Sequence, residues 1–237
     1  MPPSASGSPL GLVAPLQAAS LSEKPTKKPG TKSFKLGLDY GTTYSAGAFC
    51  LCSSSIPEAI SGEIYPFFQR SETSGPGYRG NQLSSVILYE NNESVKIGAD
   101  AENLVSLRDK LVRKAKLGLD YRPETVSARQ TLQQDIERLT PKTETVEVIA
   151  DYLGEMFIGF KIQLERIGYC PGDSIELNCA IPSIWTDQAR HSMVQAIEIA
   201  SRVSGLPFDS PTKLWPEAEA ATEHVLKEQR RVMLQVV

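Results

Sequence analysis

Residues 34–45 read Phe-Lys-Leu-Gly-Leu-Asp-Tyr-Gly-Thr-Thr-Tyr-Ser and restrict the fold more than any other stretch of the chain. Phe34, Leu36, Leu38 and Tyr40 alternate with Lys35, Gly37 and Asp39, the period of a strand with one buried face. Gly41 then allows a tight turn without a side-chain clash. Thr42 and Thr43 set hydroxyls beside freshly exposed backbone N–H groups, and successive N–H groups in a turn form a concave anion site. Asp39 ends the strand beside that turn, where a carboxylate can hold a cation directly or through its water shell. These residues fit an ordinary hairpin or a phosphate cradle with a magnesium carboxylate.

Other features narrow the class. The 237 residues are 41% hydrophobic and 22% charged, enough for a real core. The formal charge of −3 argues against nucleic acid or an anionic membrane as a main partner. No apolar run approaches the roughly 20 residues a membrane helix needs. Cys50, Cys52, Cys170 and Cys179 lack metal-like or framework spacing, so free thiols in a reducing, cytoplasmic setting are expected. Residues 1–33 are rich in Pro, Ser, Ala and Lys without periodicity and read as a disordered, mildly basic tail. Residues 10–19 lack a preceding Lys or Arg and are broken by Pro15, which argues against a signal peptide.

Along the chain, the spacing predicts a second strand over 45–52, a short strand over 64–68 and a hairpin of 84–90 with 94–97. Gly75 and Gly80 have P-loop spacing, but no Lys-Ser/Thr follows them, so the motif is rejected. Leu104, Leu107, Leu111 and Ala115 predict a helix over 99–116, broken at 117–121. Lys110, Arg113, Lys114 and Lys116 form a basic cluster that a solvated face would explain. Helices are predicted over 126–139 and 145–167, the second on the stripe Ile149, Leu153, Met156, Phe157, Phe160, Leu164 and Ile167. Gly168 and Pro171-Gly172 stop it. A strand over 174–181 follows, ended by Pro182. Thr186 caps a helix to about Ser204 with Met193, Ile197, Ala200 and Val203 inward, and Gly205 closes it. A strand over 212–215, a helix over 216–227 and a strand over 231–237 complete the pattern. His191 and His224 read as surface residues without a catalytic partner.

Leu36-Gly-Leu-Asp-Tyr-Gly-Thr-Thr-Tyr-Ser45 resembles the first phosphate motif of the seventy-kilodalton heat-shock chaperones (the DnaK family), within the actin-like ATPase and sugar-kinase superfamily. Ile181-Pro-Ser-Ile-Trp-Thr-Asp-Gln-Ala-Arg190 resembles that family's Val-Pro-Ala-Tyr-Phe-Asn-Asp-x-x-Arg. Leu214-Trp-Pro-Glu-Ala-Glu-Ala-Ala221 is similar to its Ile-Ile-Asn-Glu-Pro-Thr-Ala-Ala, with the proline moved ahead of Glu217 and Glu219 in place of a threonine. The likeness runs from Phe34 to Val237, close at both ends and vague between.

The resemblance implies an α/β fold, one actin-like (ribonuclease H-like) ATPase lobe with a mixed five-stranded sheet and flanking helices. Residues 34–62 and 147–237 would form the core and 63–146 an inserted α+β subdomain. It implies ATP and Mg2+ as ligands, with Asp39 toward the metal and Gly41, Thr42, Thr43 and Tyr44 toward the phosphates. Glu217 would position a metal-bound water, and Pro182 would sit at the interdomain relay. A lysine would reach the γ-phosphate, Lys116 being the choice and Lys114 next. Unfolded clients, co-chaperones and a stress role come with the family, through regions this sequence does not contain.

The family's second phosphate loop, Asp-x-Gly-Gly-Gly-Thr, is absent from the sequence. The expectation is therefore a truncated first lobe that binds ATP weakly and hydrolyses it poorly alone. Phosphoryl transfer depends on positioning and charge, and half the contacts would be missing. A sugar or acetate kinase of the same superfamily, or a non-enzymatic interaction module, are the alternatives.

Overall fold

The structure is a computed structural model describing residues 32–52, 64–67, 82–90, 94–104 and 110–220. All fall within one compact unit, Thr31–Val237. The predicted tail (through residue 31), the segment 221–237 with its predicted strand, the glycines of 75–80 and His224 lie outside the described residues.

Strand β1 (Ser33–Tyr40) pairs antiparallel with β2 (Tyr44–Cys52), Tyr40 opposite Ser45. The strand starts within the stretch predicted as tail: Ser174 N–H donates to the Lys32 carbonyl at 3.0 Å. Gly41 is required by a close approach, since a Cβ there would lie 2.1 Å from the Tyr44 carbonyl oxygen. Short β3 (Tyr65–Pro66) and β4 (Gln82–Ser84) both pair with β2. Strands β5 (Val86–Glu90), β6 (Ser94–Ile97) and β7 (Val112–Arg113) form a separate three-stranded sheet. Ser85 divides β4 from β5, its N–H donating to the Thr43 carbonyl at 2.8 Å. The strand predicted over 84–90 thus serves two sheets.

On the other side of β1 runs β8 (Ser174–Ile181), parallel to it, and then β9 (Lys213–Pro216), parallel to β8. Among the described residues the main sheet is six-stranded in the order β3-β2-β1-β8-β9, with β4 added on β2. The expectation of five strands is corrected by β4, whose three residues carry too short a pattern to read alone. The fold is α/β: a mixed sheet with flanking helices.

Helix α1 is Gly98–Glu102, α2 Val126–Leu139, α3 Thr145–Arg166 and α4 Asp187–Ser204. In α3 the side chains of Ile149, Leu153, Met156, Phe157, Phe160 and Leu164 are all fully buried. Burying each such side chain is worth about 1.5–3 kcal/mol, so this stripe is a large part of the core. The Phe160 ring lies over Gly47, where a Cβ would meet it at 2.2 Å. Helix α4 is capped by the Thr186 hydroxyl, which accepts from Ala189 N–H, and ends at Gly205 with φ +62°.

Two expectations are corrected. The helix over 99–116 stops at Glu102. Val112 instead pairs with Ile87 in a sheet, Lys114 adopts a left-handed conformation (φ 59°), and Ala115–Leu119 is a 3-10 turn. Apolar residues buried in sheet and turn had mimicked one helical stripe. Val203 faces solvent, 68% exposed, while Ser204 is buried. The stripe through Met193, Ile197 and Ala200 passes through residue 204, where the Ser204 hydroxyl donates to the Ser201 carbonyl.

Candidate phosphate and metal cleft

The parallel strands β1, β8 and β9 all end at one edge of the sheet, and a cleft of about 410 Å3 opens just beyond them. Asp39, Gly41 and Thr42 line it from the end of β1, Pro182, Ile184 and Trp185 from the end of β8, and Glu217 from the residue after β9. The chain leaves β1 toward β2 on one side and returns as β8 on the other, so the strand order reverses there. Ligands of open α/β sheets bind at such a reversal, beyond the carboxyl ends of the strands.

Lys116 reaches the cleft from the 3-10 turn. Its Nζ donates to Glu217 Oε1 at 2.8 Å, across 101 residues of sequence. It also lies 5.5 Å from the centroid of the Trp185 ring, within range of a cation–π attraction. The lysine is 6% exposed and Glu217 is 46% exposed, so the ion pair joins a buried cation to a carboxylate that still meets water. Within the basic cluster this separates Lys116 from Lys110, Arg113 and Lys114, which are exposed.

Asp39 is open to solvent by area, yet its carboxyl is raised above the usual range. Desolvation by surrounding atoms is the main cause; the Lys116 charge opposes it and the Glu217 charge adds to it. Lys116 is thus ion-paired with Glu217 and near enough to Asp39 to favour its charged form. Magnesium binds through one or two carboxylates plus substrate phosphates and water rather than in a closed protein cage. Asp39 and Glu217, with Thr42 in the same lining, fit that donor set. Among the described residues no group of three or more His, Cys, Asp or Glu forms a closed metal site.

Of the residues expected at the phosphates, Gly41 and Thr42 line the cleft, whereas Thr43 and Tyr44 do not. Thr43 uses its carbonyl to hold Ser85, and Tyr44 is 54% exposed at the start of β2. Lys114 is the left-handed residue that precedes the turn and lies outside the cleft lining. Among the lining residues, sequence reasoning gave no role to Asp120, to Arg122 or to Trp185 as a cation platform. Asp120 is buried, and its carboxyl is held below the usual range, chiefly by the hydrogen bond from the Arg122 guanidinium. The signal in the sequence was a lone Asp-x-Arg before a proline, Asp120 to Pro123, which has no fixed meaning.

A second cleft of about 460 Å3 shares this wall: Gly118, Leu119 and Tyr121 line it, while Leu117 and Asp120 line the first. It lacks paired carboxylates among its lining residues. The four thiols are free; burial pushes Cys179 up to about 12, so it is inert at neutral pH. No described helix is long and apolar enough to cross a membrane. Neither a known family nor a curated protein matches the chain.

Proposed function

We propose that this chain is a nucleotide-binding lobe of the actin-like ATPase kind, akin to a divergent heat-shock chaperone, taking ATP as its magnesium complex. One observation carries the reading. Asp39, Lys116 and Glu217, singled out by a resemblance from three distant stretches, line a single cleft at the strand-order reversal. A structural ion pair alone would not require the glycine-threonine turn to open into the same cleft.

The chemistry follows from the charges. Asp39 and Glu217 would hold Mg2+, which supplies charge neutralisation for the phosphate oxygens when bound. Lys116, now bonded to Glu217, would turn to a phosphate where that carboxylate serves the cation. Gly41 keeps the turn close enough for backbone N–H groups to approach the phosphate chain, and the Thr42 hydroxyl adds a polar contact. Glu217 would also orient a water toward the terminal phosphate. The family's clients and co-chaperones, and a cytoplasmic setting, follow as part of the same proposal.

Amide-resolved titration with MgATP tests it. Signals of Asp39, Gly41, Thr42, Lys116, Trp185 and Glu217 are expected to shift together along one saturation curve, and Asp39→Asn to remove the response. Shifts confined to other regions, or a response indifferent to Asp39→Asn, would exclude this cleft as the nucleotide site. A panel of sugars without phosphotransfer separates the chaperone reading from a kinase.

A further inference from the structure

Arg122 is held in an unusual way for a residue at the rim of an open cleft. Its Nε donates to Asp120 Oδ1 at 2.9 Å and its Nη2 to Asp120 Oδ2 at 2.6 Å. The same carboxylate accepts the Arg122 backbone N–H at 3.2 Å. Asp120 is itself fixed from behind: its carbonyl accepts from the Thr125 hydroxyl at 2.5 Å and from Arg129 Nη1. Pro123 stiffens the backbone immediately after. One edge of the guanidinium is therefore locked against a buried acid by a rigid segment. The opposite end, with Nη1, makes no hydrogen bond to any described residue, and the side chain is 39% exposed.

Two explanations compete: either Arg122 only neutralises Asp120, or Asp120 aims Arg122. The fork itself fits either explanation, since Arg–carboxylate pairs are often bidentate; the place of Arg122 in the lining of the cleft separates them. Lys116, the other cation there, is buried and turned to Glu217. Arg122 is the part-exposed cation in that lining, with Nη1 left without a hydrogen bond among the described residues. A guanidinium end presents parallel N–H donors that match two oxygens of a phosphate, which a lysine ammonium cannot reproduce while also holding a carboxylate in a fork.

We infer that Arg122 is a phosphate-binding residue of this cleft: its open end donates to phosphate oxygens of the nucleotide while Asp120 positions the other edge. The inference rests on the nucleotide reading above and adds a contact that the hairpin motif does not contain.

The test follows the Arg122 side-chain Nε–H and Nη–H signals and the Thr42 amide of the full chain during titration with MgATP, and repeats it with magnesium pyrophosphate. Both sets of signals are expected to move on one curve with either ligand. Arg122→Lys, which keeps a cation beside Asp120, is expected to weaken binding about tenfold, the equivalent of one charge-assisted hydrogen bond. The spectrum of unliganded Arg122→Lys, matched to wild type, checks that the fold is kept; if it is not, the wild-type side-chain signals decide. Thr42 moving while the Arg122 signals stay still, or unchanged affinity in a folded Arg122→Lys, would overturn the inference and leave the nucleotide reading standing. No response at Thr42 in wild type would remove both.

Discussion

The Nζ of Lys116 stands 2.8 Å from Glu217 Oε1 and is the buried member of the pair. The two residues enter from unrelated elements, a 3-10 turn and the residue after β9, so the contact ties the wall of the cleft to the end of the sheet. It also holds in reserve the cation that a phosphate would need.

The asymmetry of this pair predicts unequal costs. Glu217→Ala leaves a buried ammonium without its carboxylate and is expected to cost about 1–3 kcal/mol. Lys116→Met leaves a half-exposed carboxylate that water can serve, and should cost less than about 1 kcal/mol. Chemical denaturation of the two variants checks the order. A larger loss for Lys116→Met would mean that the pair is not arranged as described.

Gly41 and Gly37 give a matched comparison on one strand and its turn. A Cβ at residue 41 would stand 2.1 Å from a backbone oxygen, whereas at residue 37 the nearest atom is the Ala48 oxygen at 3.8 Å. Gly41→Ala is expected to destabilise by about 1–3 kcal/mol, as overpacking does, and to abolish nucleotide binding. Gly37→Ala should stay within about 0.5 kcal/mol. Thermal melts of both variants, with a MgATP titration, distinguish a turn that must be tight from one that tolerates a methyl group.

On the magnesium proposal, Asp39 would link stability and metal binding with opposite signs. Its carboxyl is raised in the folded chain, so folding disfavours its charged form. That penalty grows as pH rises from the ordinary aspartate range through the raised value, and it is fully present above it. Asp39→Asn removes it, so the variant should be at least as stable as wild type at neutral pH while losing magnesium. Wild-type magnesium affinity should fall on acidification at a higher pH than a free aspartate would give. Stability and metal titrations across pH check both signs; a destabilised Asp39→Asn would contradict the first.

Trp185 offers an optical report. The chain has two tryptophans, and the ring of Trp185 lies 5.5 Å from Lys116 Nζ, while Trp215 donates its Nε1–H to Asn178 Oδ1 at 2.9 Å. Release of Lys116 toward a phosphate should change Trp185 emission. Trp215→Phe should keep the MgATP-dependent change and Trp185→Phe should lose it. The reverse assignment would place the movement away from Lys116.

The long apolar periods were legible because one face of each element decides its burial. The stripe of α3, the alternation of β8 and the opening hairpin all stand where the pattern put them. Failures came where tertiary context supplied what the pattern lacked. Leu111 and Val112 are buried in a sheet contact and Lys114 turns left-handed, so helical spacing over 99–116 was accidental. Ser204 continues the inner stripe of α4 with a polar residue that satisfies itself locally, which misdirected the reading to Val203. In the site, Asp39 and the glycine turn were readable from local chemistry. Lys116 and Glu217 were reachable only through resemblance, because contact across 101 residues leaves no local trace. Asp120 and Arg122 were missed because a buried acid and its arginine, two apart, look like any surface pair.

The most direct measurement is an amide-resolved titration of the chain with MgATP, read at Thr42, Lys116 and Glu217 together. The account predicts coincident shifts at all three, with a dissociation constant near or weaker than about 1 mM. Silence at these residues, or shifts that saturate separately, would contradict it.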